Sequence, residues 1–264
     1  MKVGFIGAGN MGGAIVRGLV SGGHCGADIL VYDKDTTKLM KLSEDCKIVV
    51  ASSAADIVEQ SDTVILAVKP QMLSGVLTPL APVLRRCRPL IISIAAGKTL
   101  SWIENIIGKD VPLARVMPNI AAKVGQGMSA FCLNDVSDES HKKTVRMIFE
   151  SVGKVVELKE ELFSAFTAVA GSSPAFTLLY IDALANAGVR YGIPKDTALT
   201  IASQAVLGTT HLLQKTGQHP RAISDAVCSP SGTTIEGVCA LQSCGFENAV
   251  LEAVRASFEK DKKL

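Results

Sequence analysis

The sequence predicts an α/β fold, with an N-terminal doubly wound domain over residues 1–158 and an all-helical C-terminal domain over 159–264. Two observations predict it. Through the first part, short continuous apolar runs alternate with helix-length amphipathic segments, the pattern of a parallel sheet covered on both faces. From Lys159 onward strand signals vanish and the segments carry helical spacing.

The elements follow in order. Residues 2–6 form an apolar strand, and 12–21 place Ile15, Val16, Leu19 and Val20 at helical spacing. Strands are expected at 29–32, 47–50, 63–68 and 90–94, with helices at 36–42, 54–60 and 72–84, the last broken by Pro79 and Pro82. Later strands are expected at 113–117, 128–131 and 154–158, with a helix over 137–151 capped by Ser137, Ser140 being the less favoured start. In the second domain the spacing predicts helices over 160–170, 174–191, 194–216, 220–228, 232–244 and 246–260. Pro194 and Pro220 stand where helices start, and Gly192 and Gly217 where they stop. The charged tail 259–264 is expected to be a frayed, solvated helix end.

Composition narrows the function classes. Formal net charge is +2, with 27 basic and 25 acidic residues, which offers no electrostatic footprint for nucleic acid or an anionic membrane. No uninterrupted apolar run approaches the roughly 18–20 residues of a membrane span. The N-terminus opens directly into a strand, with no basic segment ahead of an apolar one, so a cytoplasmic location is expected. The seven cysteines form no CxxC pair and the four histidines are scattered, so neither a disulfide framework nor a metal site is expected. Mean hydropathy is +0.31. Residues 175–213 are rich in Ala, Leu and Val on more than one face, so their helices must be covered on most sides. The expectation is a homodimer through the helical domain, with assembly of dimers beyond that left open.

The segment Gly7-Ala8-Gly9-Asn10-Met11-Gly12 is a GxGxxG turn placed directly after a strand and opening a helix. There Gly7 permits the tight turn, Gly9 lets the backbone approach a pyrophosphate, and Gly12 lets the helix pack on the strand. The helix N-terminus offers unpaired N–H groups to phosphates. This is the fingerprint of a Rossmann domain binding NAD or NADP. Asp33 lies 21 positions after Gly12 (33 − 12), where a carboxylate accepts ribose hydroxyls and favours NAD. Lys34 and Lys38 follow and can offset that charge, so the choice of cofactor stays open. The strand-end turns Ala67-Val68-Lys69-Pro70 and Ala95-Ala96-Gly97 should face the cofactor, since ligands bind beyond the carboxyl ends of such strands. Asn119 either bonds the nicotinamide or holds its loop.

Three stretches resemble the pyrroline-5-carboxylate reductases. They are FIGAGNMG at 5–12; AVKP at 67–70 with SIAAG at 93–97 and MPN at 117–119; and GSSPAF at 171–176 with VCSPSGTTIE at 227–236. The resemblance spans essentially the whole chain. It implies NAD(P)H-dependent reduction of 1-pyrroline-5-carboxylate to proline by a dimer. It also implies a substrate loop in which the N–H groups of Gly232 and Thr233 grip the carboxylate. In the same loop Thr234 bonds the ring nitrogen and acts as the catalytic residue, and Ser229 assists. Two positions depart from the family pattern: Ser231 replaces a glycine, and Ile120-Ala121 replaces a Thr-Pro pair. The residues point to the same loop by themselves, because a Gly-rich turn opening a helix is an anion site. On the same residues, Thr233 or Thr234 as a simple helix cap helped by Glu236 is the competing reading.

The helical domain holds no His–Asp or Lys–Glu constellation. A cyclic imine tolerates this, because its nitrogen takes a proton from solution and orientation is the main demand. Two other readings are weighed. A β-hydroxyacid dehydrogenase would need a Gly-x-x-x-Lys setting, yet neither Lys195 nor Lys215 has a glycine four positions earlier. A non-catalytic NAD(P)-binding sensor would lack a substrate site.

Overall fold

The computed structural model describes residues 1–263. One eight-stranded sheet runs in the order β3-β2-β1-β4-β5-β6-β7-β8. Its strands are β1 (Val3–Ile6), β2 (Ile29–Tyr32), β3 (Val49–Val50), β4 (Thr63–Leu66), β5 (Leu90–Ser93), β6 (Leu113–Met117), β7 (Gly127–Leu133) and β8 (Gly153–Glu157). The first six are parallel; β7 turns back antiparallel on β6, and β8 follows β7 in parallel. The chain starts in the middle, at β1, and builds outward first through β2 and then through β4. The carboxyl ends of β1 and β4 therefore flank the point where the winding reverses.

Alternation within the strands feeds two cores. Val3, Phe5, Val31, Ile65 and Ile92 face α1 (Asn10–Ser21), α2 (Thr36–Cys46) and α6 (Glu139–Glu150). Ile6, Leu30, Val64, Leu66 and Ile91 face α3 (Ala54–Gln60), α4 (Leu73–Cys87) and α5 (Leu100–Ile107). Strands buried on both sides explain why they read as unbroken apolar runs.

Three local expectations are corrected. Pro79 and Pro82 do not break α4, which is continuous. Both are exposed, so the carbonyls they leave unpaired lie on the solvent side, while Leu73, Leu77, Leu80 and Leu84 hold the buried stripe. Helix α5 was not anticipated, although Thr99 caps it by accepting the Trp102 N–H and Ile103 and Ile107 bury its inner face. Ser137 does not cap α6. Its hydroxyl is spent on Asn134, 2.7 Å away, and Asp138 caps the helix instead. The Ser140 hydroxyl and the His141 N–H hold the Asp138 carboxyl down at about 2.

By packing, the chain forms two compact units, Met1–Gly171 with the residues from Lys260 onward, and Ser172–Glu259. Strands end at Glu157, but Phe163 and Phe166 still pack with Ala130 and Cys132 of β7, which extends the first unit past the last strand. Within it lie α7 (Phe163–Phe166) and the start of a π-helical turn, Thr167–Ser172. The second unit holds α8 (Ser173–Arg190), α9 (Lys195–Thr216), α10 (Pro220–Val227), α11 (Thr233–Ser243) and most of α12 (Phe246–Asp261). Within the charged tail α12 ends at Asp261 and Lys262 and Lys263 are exposed, while Leu264 lies outside the described residues. Pro174 sits in the first turn of α8 and Gly217 ends α9 in the left-handed region. Ala185, Ala198 and Ala202 make the buried contact of α8 with α9. Among the described residues, Glu160–Arg190 is the one helical run long and apolar enough to cross a membrane, by length and composition alone (31 residues, mean hydropathy 1.4).

Candidate active site

The turn after β1 is built by what its glycines leave out. Gly7 has φ +110°, and a Cβ there would lie 2.6 Å from the Ala67 carbonyl oxygen. A Cβ on Gly12 would lie 2.5 Å from the Gly7 carbonyl oxygen and 3.0 Å from the Ala67 Cβ. A Cβ on Gly9 would meet no heavy atom within 4 Å, so this backbone faces open space where a phosphate fits. Gly9 is the N-cap of α1 with no side-chain cap, and the first intrahelical bond is Gly13 N–H to the Gly9 carbonyl at 2.9 Å. The N–H groups of Asn10, Met11 and Gly12 thus precede the helical ladder and are available to an anion.

Two bonds staple this turn to the end of β2. Gly7 N–H donates to the Tyr32 carbonyl at 2.8 Å, and Ala8 N–H donates to Asp33 Oδ2 at 2.6 Å. Asp33 Oδ1 accepts the Asp35 N–H at 2.9 Å. Ala8 was expected among the cofactor contacts, but its N–H is already committed to Asp33. A cavity of about 220 Å³ brings together Gly7, Gly9, Asp33, Lys34, Ala67, Val68 and Lys69. Pro70 opens a short 3₁₀ turn that carries the chain from this cavity into α4. The glycine cradle and its open anion face fit a dinucleotide.

Farther along the sheet edge, Ala95 is buried, while Gly97 at φ +72° lines a separate cavity of about 360 Å³ with Arg115 and Glu160. Asn119 holds its loop: its Nδ2 donates to the Ala170 carbonyl at 2.9 Å and its Oδ1 accepts the Met128 N–H at 3.1 Å. Of the two roles expected for it, the structure displays the second.

The sequence reading missed Arg115 and Glu160. Arg115 Nη1 donates to Glu160 Oε1 at 3.0 Å, and the same oxygen accepts the Leu100 N–H at 2.8 Å. The guanidinium also lies over the Phe163 ring, 4.6 Å from its centroid. A buried arginine inside the apolar strand LARVM was the available signal, since a buried charge requires a partner.

In the second unit, Gly232 N–H donates to the Ser229 carbonyl at 3.0 Å, closing a turn with Pro230 second and Ser231 third. Ser231 has φ +57°. A Cβ on Gly232 would lie 2.3 Å from Ser229 Oγ. Gly232 is the N-cap of α11 and no side chain caps that helix, so neither Thr233 nor Thr234 serves as the cap. One expectation is corrected. The Gly232 N–H is spent inside the turn, which leaves the N–H groups of Thr233 and Thr234 as the first without a helical partner. Both threonines are exposed. Among the described residues no group of three or more His, Cys, Asp or Glu side chains could hold a metal ion.

A glycine-lined dinucleotide turn at the reversal point of a doubly wound sheet, followed in the chain by a helical unit, defines an NAD(P)-dependent oxidoreductase. The family model for pyrroline-5-carboxylate reductase dimerisation matches residues 160–264, and that for NADP oxidoreductase coenzyme F420-dependent matches residues 2–97. The pyrroline-5-carboxylate reductase of Escherichia coli (strain K12) is 38% identical over 264 residues, covering 100% of this chain and 98% of that one. The chain belongs to the pyrroline-5-carboxylate reductase family. The solved reductase from Coxiella burnetii has a TM-score of 0.96 at 31% identity, covering 99% of this chain and 97% of that one. The Plasmodium falciparum pyrroline carboxylate reductase, solved with NADP bound, has a TM-score of 0.87 at 30% identity, covering 100% and 97%.

Proposed function

We propose that the protein reduces 1-pyrroline-5-carboxylate to proline, using NADPH or NADH, as a cytoplasmic homodimer. The observation that carries the substrate reading is the uncapped start of α11, where free N–H groups and two exposed threonine hydroxyls adjoin a tight Ser-Pro-Ser-Gly turn. The N–H groups of Thr233 and Thr234 grip the substrate carboxylate, aided by the positive end of the helix. Gly232 allows close approach, and the Ser229 hydroxyl supplements the grip.

The Thr234 hydroxyl bonds the ring nitrogen and is the catalytic residue in this reading. The imine nitrogen carries a proton taken from solution, so the carbon becomes the electrophile and no acid–base pair is needed. When bound, the nicotinamide supplies the hydride. The chain's task is orientation, which by itself accounts for large rate factors. The cofactor lies along Gly9–Gly12 and the strand ends Ala67–Pro70 and Ala95–Gly97, with Asn119 fixing the loop beside them.

The dimer reading rests on the apolar surface of the second unit, where Leu178, Leu179, Ile201, Leu207 and Leu251 are exposed in a single chain. A second copy covers this surface in our reading, in place of a bilayer or a nucleic acid. Thr234→Ala tests the substrate role. Turnover should fall roughly ten- to a thousandfold, the scale on which a single oriented hydrogen-bond donor acts. Wild-type turnover and affinity in that variant would remove Thr234 from the site.

A further inference from the structure

The turn that leaves β5 is tied down at its two ends. On the strand side, the Ile94 N–H donates to the Leu66 carbonyl at 3.2 Å and closes the ladder with β4. On the helix side, the Leu100 N–H opens α5 and has no helical partner of its own. It donates instead to Glu160 Oε1 at 2.8 Å, which sets a carboxylate at the positive end of the helix. Ala95–Thr99 spans the two anchors, with Gly97 at φ +72°.

The carboxylate is itself held. Arg115 Nη1 donates to the same Glu160 oxygen at 3.0 Å. Arg115 lies on β6 in register with Ser93, the last residue of β5, so the guanidinium starts from the strand that delivers the turn. Its other contact is the buried Phe163 ring, 4.6 Å from the centroid. The arginine is buried, and its side chain is 9% exposed against 29% for Glu160. A buried ion pair adds little stability over apolar residues of the same volume. What it supplies here is a fixed direction for one oxygen, because a guanidinium on a strand and against a ring has little freedom to swing.

We propose, on the reading that this turn faces the nicotinamide, that Glu160 is a positioning residue for hydride transfer, held in place by Arg115 and acting through the Leu100 N–H on the turn Ala95–Thr99.

Two double variants of the full-length protein separate this role from stability. Arg115→Met with Glu160→Gln removes both charges and keeps an oxygen for the Leu100 N–H. Arg115→Met with Glu160→Leu removes the charges and the anchor together. The Gln variant should keep kcat within about threefold of wild type, while the Leu variant should lose about tenfold or more, the scale of a small misplacement at a reacting centre. In the Leu variant the deuterium isotope effect on kcat, read with NADPH labelled at the transferred position, should rise. A loss of folded protein alone would leave it unchanged. Leu100→Pro removes the same N–H with the ion pair intact, at a first-turn position that suits proline, and should reproduce the Leu variant. Without substrate, the Leu variant should bind NADPH about threefold or more weaker than wild type, but bind 2′-phosphoadenosine diphosphoribose, which lacks the nicotinamide, within about twofold. Equal kcat in the two double variants, a wild-type kcat in Leu100→Pro, or parallel losses of NADPH and the fragment would each overturn the assignment. A wild type that leaves 1-pyrroline-5-carboxylate unreduced would count against the substrate reading instead, and the binding comparison would still decide the role of Glu160.

Discussion

Ser231 stands at φ +57° in a turn closed by the Gly232 N–H, with Pro230 ahead of it. Proline second and a positive φ third is the arrangement that favours glycine third. An L side chain there costs about 1–2 kcal/mol. The resemblance implies glycine at this position, and the serine that stands there is a strained residue in the same turn. Ser231→Gly should therefore raise stability by about 1 kcal/mol, read as a shift in urea midpoint, with turnover within a few-fold of wild type. A lowered midpoint would mean that the Ser231 hydroxyl holds the loop. Residue-level donors were the least legible feature of the sequence. Asn119 and Ala8 each lie where the motifs place them, but tertiary partners claim their hydrogen bonds: Ala170 and Met128 for the first, Asp33 for the second. Spacing along the chain does not encode those partners.

At the level of elements the pattern was more informative. β2 at Ile29–Tyr32, α3 at Ala54–Gln60 and β6 at Leu113–Met117 fall where apolar periodicity puts them. Their turns are marked by local chemistry, and their burial is complete enough to leave a clear pattern. Direction in the sheet was not legible: β7 and β8 run against the other six strands, and a strand's side-chain period is the same either way. Helix α4 survives two prolines because its buried leucine stripe outweighs two missing solvent-side bonds, a balance set by tertiary packing. The β1–α1 junction is the element whose sterics were most fully written in the sequence, since Gly7 and Gly12 each stand where a Cβ would collide with backbone. Gly12→Ala should cost about 1–3 kcal/mol through overpacking against Gly7 and Ala67. It should weaken binding of both dinucleotides, measured by fluorescence titration. Unchanged stability and affinity would show that α1 can move away without consequence.

At the scale of the molecule, the helical unit buries little in one chain. Its internal core centres on Ala185, Ala198 and Ala202, while Leu179 and Leu207 are 73% and 63% exposed. The sequence signalled this as helices apolar on more than one face, and the structure shows which faces are left uncovered. Sedimentation velocity at micromolar concentration should find a dimer, and Leu179→Asp with Leu207→Asp should shift it toward monomer. A monomeric wild type would remove the second copy from the account.

The most direct test of the central claim is an assay of NADPH and NADH oxidation with 1-pyrroline-5-carboxylate, run beside a panel of small 3-hydroxy acids with the oxidised cofactors. The account predicts one proline formed for each reduced cofactor consumed, and no turnover of the hydroxy acids. Turnover of a hydroxy acid with no oxidation in the presence of 1-pyrroline-5-carboxylate would contradict it.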